Sequence, residues 1–171
     1  MSWNWRGRAW VFPDDVPNDN GFMPIAFVRK QEYDPKVLAK SAFADLDPAL
    51  AARIAPGDIL VGGRNFGRGN PHVQGFLGLK GLGVAVLAES MSRGPLRACV
   101  NAGVPVLAST QLQGFAQDGD VLAADFEKGI VENETRGTRL ALEPLPALMR
   151  EIIQAGGGIA FMKRRLALAG S

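Results

Sequence analysis

The chain has 171 residues, 47% hydrophobic and 21% charged, a balance that excludes disorder and supports a buried core. Its formal net charge is +2 and no run of five Lys or Arg occurs, so nucleic-acid binding has no electrostatic footprint. A single cysteine, Cys99, excludes an internal disulfide and a Cys/His metal cluster, and no apolar run of about 18 residues marks a membrane span. Met1-Ser2-Trp3-Asn4-Trp5-Arg6 lacks the apolar centre of a signal peptide, so the expectation is one cytoplasmic domain over residues 1–171.

With 21 Gly and 11 Pro the chain is punctuated into short elements rather than a helical bundle. Residues 8–12 read as an opening strand that runs into a polar loop, 13–21, dense in turn formers. Asp34-Pro35 opens a predicted helix through Leu38 and Phe43, with Asp34 as N-cap and proline at N1. Asp47-Pro48 opens a second short one through Ile54, stopped by Pro56-Gly57. Ile59 to Gly63 reads as a buried strand, Val73 to Leu82 as a helix, and Val84 to Ala88 as a second strand. A helix over Ser92 to Ala102 and a strand over Val104 to Leu107 complete the most regular stretch. Buried strands alternating with helices predict a mixed or parallel sheet in an α/β domain. Gly119–Leu122 and Gly129–Asn133 read as short strands with hairpin turns. A final helix is predicted from Leu145 to Gln154, stopping at Ala155-Gly156-Gly157-Gly158. Lys163-Arg164-Arg165 reads as the cationic last turn of a helix.

Between the first buried strand and the helix after it stands Asn65-Phe66-Gly67-Arg68-Gly69-Asn70. Gly67 and Gly69 permit positive φ and close approach of a ligand to the backbone. The helix N–H groups that follow favour a carboxylate or phosphate. No Gly-Lys-Ser/Thr follows, so this is not a P-loop, and the third glycine of a dinucleotide fingerprint is misplaced. His72 is the only histidine and stands at the mouth of this turn, where it can act as acid, base or carboxylate partner. The loop 13–21 holds Asp14, Asp15 and Asp19 without the glutamate of a calcium site, and on composition it reads as a solvated turn. Just beyond it, Arg29 offers guanidinium geometry suited to a carboxylate.

Arg8-Ala9-Trp10-Val11-Phe12-Pro13-Asp14-Asp15-Val16, Asp34-Pro35 through Asp47-Pro48, and Pro56-Gly57-Asp58 through Gly69 follow one another in a particular order. Gly103-Val104-Pro105-Val106-Leu107, Glu127-Lys128-Gly129-Ile130 and Glu143-Pro144-Leu145-Pro146 continue it. From about residue 8 to residue 166 the chain resembles the small subunit of 3-isopropylmalate dehydratase, in the aconitase superfamily. The resemblance implies a three-layer β/β/α swivelling domain, as in the aconitase C-terminal domain. It implies a heterodimer with a large subunit that carries a 4Fe–4S cluster, none being bound by this chain. It also implies a hydro-lyase of leucine biosynthesis, active only with that partner, that removes and re-adds water on a small hydroxy-acid. In such subunits a serine after the second glycine serves as base and an arginine grips a carboxylate.

Here the usual Gly-x-Gly-Ser-Ser-Arg stands as Gly67-Arg68-Gly69-Asn70-Pro71-His72, and the usual Asp-Thr-Asp as Pro17-Asn18-Asp19. Asn70 cannot serve as an alkoxide base, and His72 holds a carboxylate only as a pH-dependent cation. Three explanations stay open. The subunit serves a related dehydratase with a relocated base; it is a non-catalytic or regulatory carboxylate-binding paralogue; or it runs the ordinary reaction with a substituted site. The first is the expectation carried forward. His72, Asn70 and Asp19 are the catalytic candidates; Gly67, Arg68, Gly69 and Arg29 are the substrate-binding ones.

Overall fold

The structure, a computed structural model, describes residues 3–169. Four apolar runs build the parallel half of one seven-stranded sheet. β1 (Asn4–Val11) changes partner along its length: Ala9–Val11 lie parallel to Ile59–Val61 of β2 (Ile59–Gly62), whereas Asn4–Arg8 pair antiparallel with Val121–Asp125. β3 (Ala85–Ala88) and β4 (Val106–Ala108) add in parallel beyond β2. On the other side β5 (Val121–Asp125), β6 (Ile130–Asn133) and β7 (Thr138–Ala141) form an antiparallel meander. The order is β4-β3-β2-β1-β5-β6-β7.

Strand alternation sorts the core into two. Trp10, Leu60, Val86 and Val106 face a helical layer, packing with Phe76, Leu79, Cys99 and Ile153. Ala9, Ile59, Val61, Ala85, Leu87 and Leu107 face the other way, against Leu122, Ala124, Phe126 and Val131 of the meander. The sheet therefore curls about β1 so that its antiparallel half covers its parallel half. Helices, parallel strands and meander make the three-layer β/β/α arrangement expected. Because both faces of β2 and β3 are buried, their residues show no alternation, only unbroken apolarity.

Before the parallel strands resume, the chain forms three short helices. α1 (Ile25–Arg29) buries no residue and carries no apolar period, which is why the sequence shows no sign of it. In α2 (Pro35–Ala39) the Asp34 carboxylate accepts from Lys36 N at 2.8 Å with proline at N1, the start expected. It ends well before Phe43, which adopts φ +62° so that its ring stacks 4.7 Å from Phe12. Burial of that ring outweighs one more helical turn. α3 (Leu50–Arg53) follows Asp47, which accepts from Ala49 N at 2.9 Å.

α4 (Val73–Leu82) and α5 (Arg93–Ala102) lie where predicted, each followed by a left-handed glycine, Gly83 or Gly103. α6 (Ala147–Gln154) is not the last helix. After Gly156 and Gly157 the chain turns a corner into α7 (Gly158–Ala169), so Lys163-Arg164-Arg165 lies inside a helix instead of in its last turn. A Cβ on Gly157 would sit 2.5 Å from the Asn101 carbonyl, so the glycine run serves a close crossing over the end of α5. The opening strand starts at Asn4, and β7 is an edge strand too exposed to show an apolar pattern. No described helix is long and apolar enough to cross a membrane.

Candidate active site

The loop after β1 is docked along the glycine turn after β2, not left as a free solvated turn. Asp14 accepts from Arg64 N at 2.8 Å and from its guanidinium at 2.8 and 2.6 Å. That backbone N–H, and next the guanidinium, hold the Asp14 carboxyl below its ordinary range. Asn65, at φ +53°, donates to Asp15 Oδ1 at 2.9 Å, while its own N–H donates to Ser90 Oγ at the end of β3. Gly67 N and Arg68 N both donate to Val16 O, and Arg68 Nε donates to Asp15 O at 2.9 Å. Beneath the seam, Phe22 of the loop lies 4.7 Å from Phe66 of the turn and 5.7 Å from Phe76 of α4. Phe12, at the exit of β1, completes the floor at 5.5 Å from Phe66.

Docking the two segments creates a pair that the sequence separates by 53 residues. His72 Nδ1 lies 2.9 and 2.8 Å from the two Asp19 carboxylate oxygens. A carboxylate only accepts, so Nδ1 carries the hydrogen, and in the neutral form of the ring the lone pair is on Nε2. That is the tautomer of a general base oriented by a carboxylate. The side chains are 39% and 24% exposed, open enough for a substrate to meet the ring. His72 is the N-cap of α4, one step ahead of the first helical turn in which the spacing had placed it, and it makes no side-chain capping bond. The helix N–H groups are thus not engaged by a cap, and its first turn holds no acidic residue to repel an anion.

Gly69 stands at φ +94°, and an added Cβ would meet nothing within 4 Å. Glycine is required there by the backbone, and the space beside it is open. Asn70 is exposed, and its carbonyl accepts from Asn18 Nδ2 at 2.8 Å. Asp19, Gly69, Asn70 and His72 therefore lie together, whereas Gly67 is buried against Phe22 and Arg68 turns its guanidinium to Asp15. Arg29 lies at the exposed end of α1 and makes none of the bonds that tie loop to turn. Asn18 escaped sequence reasoning: only its burial, at 1% exposure, sets it apart from the other polar residues of the loop.

Cys99 is buried in the helical core, where burial pushes its thiol pKa up. Among the described residues no three His, Cys, Asp or Glu side chains gather to hold a metal.

No family model matches the chain. Individual relatives do. It is 33% identical over 95% of its length, and 96% of the relative's, to a 3-isopropylmalate dehydratase small subunit of Thermodesulfovibrio yellowstonii. An isopropylmalate/citramalate isomerase small subunit of Methanocaldococcus jannaschii is 35% identical, with 95% of each chain covered. A 3-isopropylmalate dehydratase small subunit of Pyrobaculum calidifontis is 38% identical over 94% of this chain and 98% of that one. The crystal structure of a 3-isopropylmalate dehydratase from Methanocaldococcus jannaschii superposes with a TM-score of 0.87 at 30% identity, covering 98% of both chains.

A curled β/β/α fold with a glycine-rich turn beyond β2 thus defines an aconitase-type swivelling unit. Within that class, the chain belongs to the family of 3-isopropylmalate dehydratase small subunits. The family's activity as dehydratases and isomerases favours a hydro-lyase subunit over a non-catalytic paralogue.

Proposed function

We propose that this chain completes the active site of a heteromeric hydro-lyase acting on a small hydroxy-dicarboxylic acid, with His72 as base and Asp19 as its orienting partner. The observation that carries the reading is the Asp19–His72 pair at the mouth of the glycine turn. One substrate carboxylate lies against the α4 N-terminus and the open backbone at Gly69. The His72 Nε2 takes or returns the proton next to it, in place of the serine that Asn70 replaces. Asp19 keeps Nδ1 protonated and stabilises the imidazolium that forms. Asn70 lines the site with an amide that donates to the substrate but cannot deprotonate it. Arg29, the nearest cation along the chain after the loop, would serve a second carboxylate once a partner surrounds the site.

The chain offers no ligand set for an iron–sulfur cluster, because its one cysteine is buried in the helical core. The cluster then belongs to a large subunit, where it would act as a Lewis acid on the substrate hydroxyl and carboxylate. The relatives' names support such a partner, each being a small subunit. Those names also suggest the first substrates to try: isopropylmalate and citramalate.

Co-expression with a cluster-bearing large subunit tests the reading. A stable complex that dehydrates one of those acids, and loses turnover in His72→Ala, is the expected outcome. If no complex forms and neither acid is dehydrated, the hydro-lyase reading fails. Tight binding of the acids by the isolated chain would favour a stand-alone carboxylate-binding module instead.

A further inference from the structure

Asn18 is the most completely enclosed polar side chain at the site, 1% exposed. Its amide donates to Asn70 O at 2.8 Å and to His72 O at 3.0 Å. The same nitrogen lies 3.5 Å from Asp19 Oδ1. Its backbone is held as well, with Asn18 N donating to Arg68 O and Met23 N donating to Asn18 O. Both amide hydrogens are thus spent on the carbonyls that flank Pro71, the two peptides that carry the proposed base and its neighbour.

The other end of the side chain shows how closely it is fitted. Asn18 Oδ1 is buried and has no hydrogen-bond partner. It lies against α4 at Gly75, where an added Cβ would come within 2.0 Å of it. That position faces the first turn of a helix that lacks a side-chain cap, so the oxygen meets the positive end of the helix dipole. An aspartate would set a second acceptor against two carbonyls, and a threonine would keep only one donor.

We infer that Asn18, seated by the absence of a side chain at Gly75, is a positioning residue. It sets the backbone at residues 70–72 and thereby locks the His72 ring onto Asp19. This rests on the reading of His72 as base for its catalytic consequence, but not for its geometry. The chain has a single histidine, so one imidazole signal reports the site in the isolated protein.

Nitrogen-15 NMR of that imidazole in mildly alkaline buffer is the primary test. In the unaltered chain the ring is expected as the Nδ1–H tautomer. In Asn18→Ala, and in Gly75→Ala, it is expected to become a mixture with the Nε2–H form while the amide spectrum stays dispersed. Asn18→Thr, which retains one donor, is expected to fall between, and it reads the same property should the alanine variant not fold. In the complex with the large subunit, kcat is expected to fall about a hundredfold in Asn18→Thr with KM within about threefold. An unchanged imidazole signal in folded Asn18 and Gly75 variants overturns the proposal. Absence of turnover in the unaltered complex would instead remove the hydro-lyase reading and leave the positioning result standing.

Discussion

The two halves of the sheet meet the same need to bury apolar surface in different ways. In the parallel half, β2 and β3 are covered on both faces, so polar groups collect only at their ends. There the glycine turn, Ser90 and the N-termini of α4 and α5 come together. In the antiparallel half each strand keeps one half-open face, and its polar groups are spent internally. Asp120 accepts from Asn133 at 2.8 Å, from Gln117 N at 2.8 Å and from Arg136 at 2.7 Å. Those three bonds, in which Asn133 weighs most, pull its carboxyl pKa down to about 2. The contrast teaches where chemistry is possible: strand ends that leave donors open can take a ligand, whereas the meander consumes its own.

The sharpest way to break this division is at His72. His72→Ala should lower kcat of the assembled enzyme by about 10²–10⁴-fold, with the unfolding midpoint of the chain little changed. Near-normal turnover would remove histidine from the mechanism. Phe22→Ala should cost about 3–5 kcal/mol in denaturant unfolding, because one ring bridges Phe43, Phe66 and Phe76 under the seam. A loss below about 1 kcal/mol would mean that the loop is not held from beneath.

Asp58→Ala probes β1 where it serves both halves. Its carboxylate accepts from Trp10 Nε1 at 2.8 Å, Ala55 N at 2.9 Å and Arg8 N at 3.0 Å. Leaving the buried donors unmet should cost about 2–3 kcal/mol in the same measurement.

Acid titration separates the halves more gently. A carboxyl whose folded pKa lies below its ordinary 3.8 stabilises fully above that value and loses its contribution as the pH falls towards about 2. The unaltered chain should therefore lose stability between pH 4 and pH 2, and Asp120→Asn should flatten that decline. An unchanged slope would show that the network gives the carboxylate no advantage over its unfolded state. The smallest effect is expected for Glu134→Gln, which removes the exposed Arg6 ion pair at 2.8 Å and should leave the unfolding midpoint unmoved.

Much of this was legible beforehand where local chemistry decides. The N-cap at Asp34, the start of a short helix just after Asp47-Pro48 and the span of α4 follow from side chain and backbone within a few residues. The glycine turn was readable because positive φ at Gly67 and Gly69 leaves few alternatives. α1 and β7 were not readable, because neither buries a periodic face. The early end of α2 was hidden because it depends on where Phe43 finds its aromatic partners.

By itself, then, the sequence determined the family, the alternation of strands and helices, and a glycine turn with His72 at its mouth. The family rests on the resemblance of its ordered motifs, and the rest on apolar runs, glycines and caps, whose physics is local. Only the tertiary structure decided that Asp19 orients His72, that Arg64, Asn65 and Arg68 fasten the acidic loop, and that Asn18 holds the peptides on either side of Pro71. Each of those bonds spans some fifty residues, so it exists only once β1 and β2 lie side by side and bring their exits together.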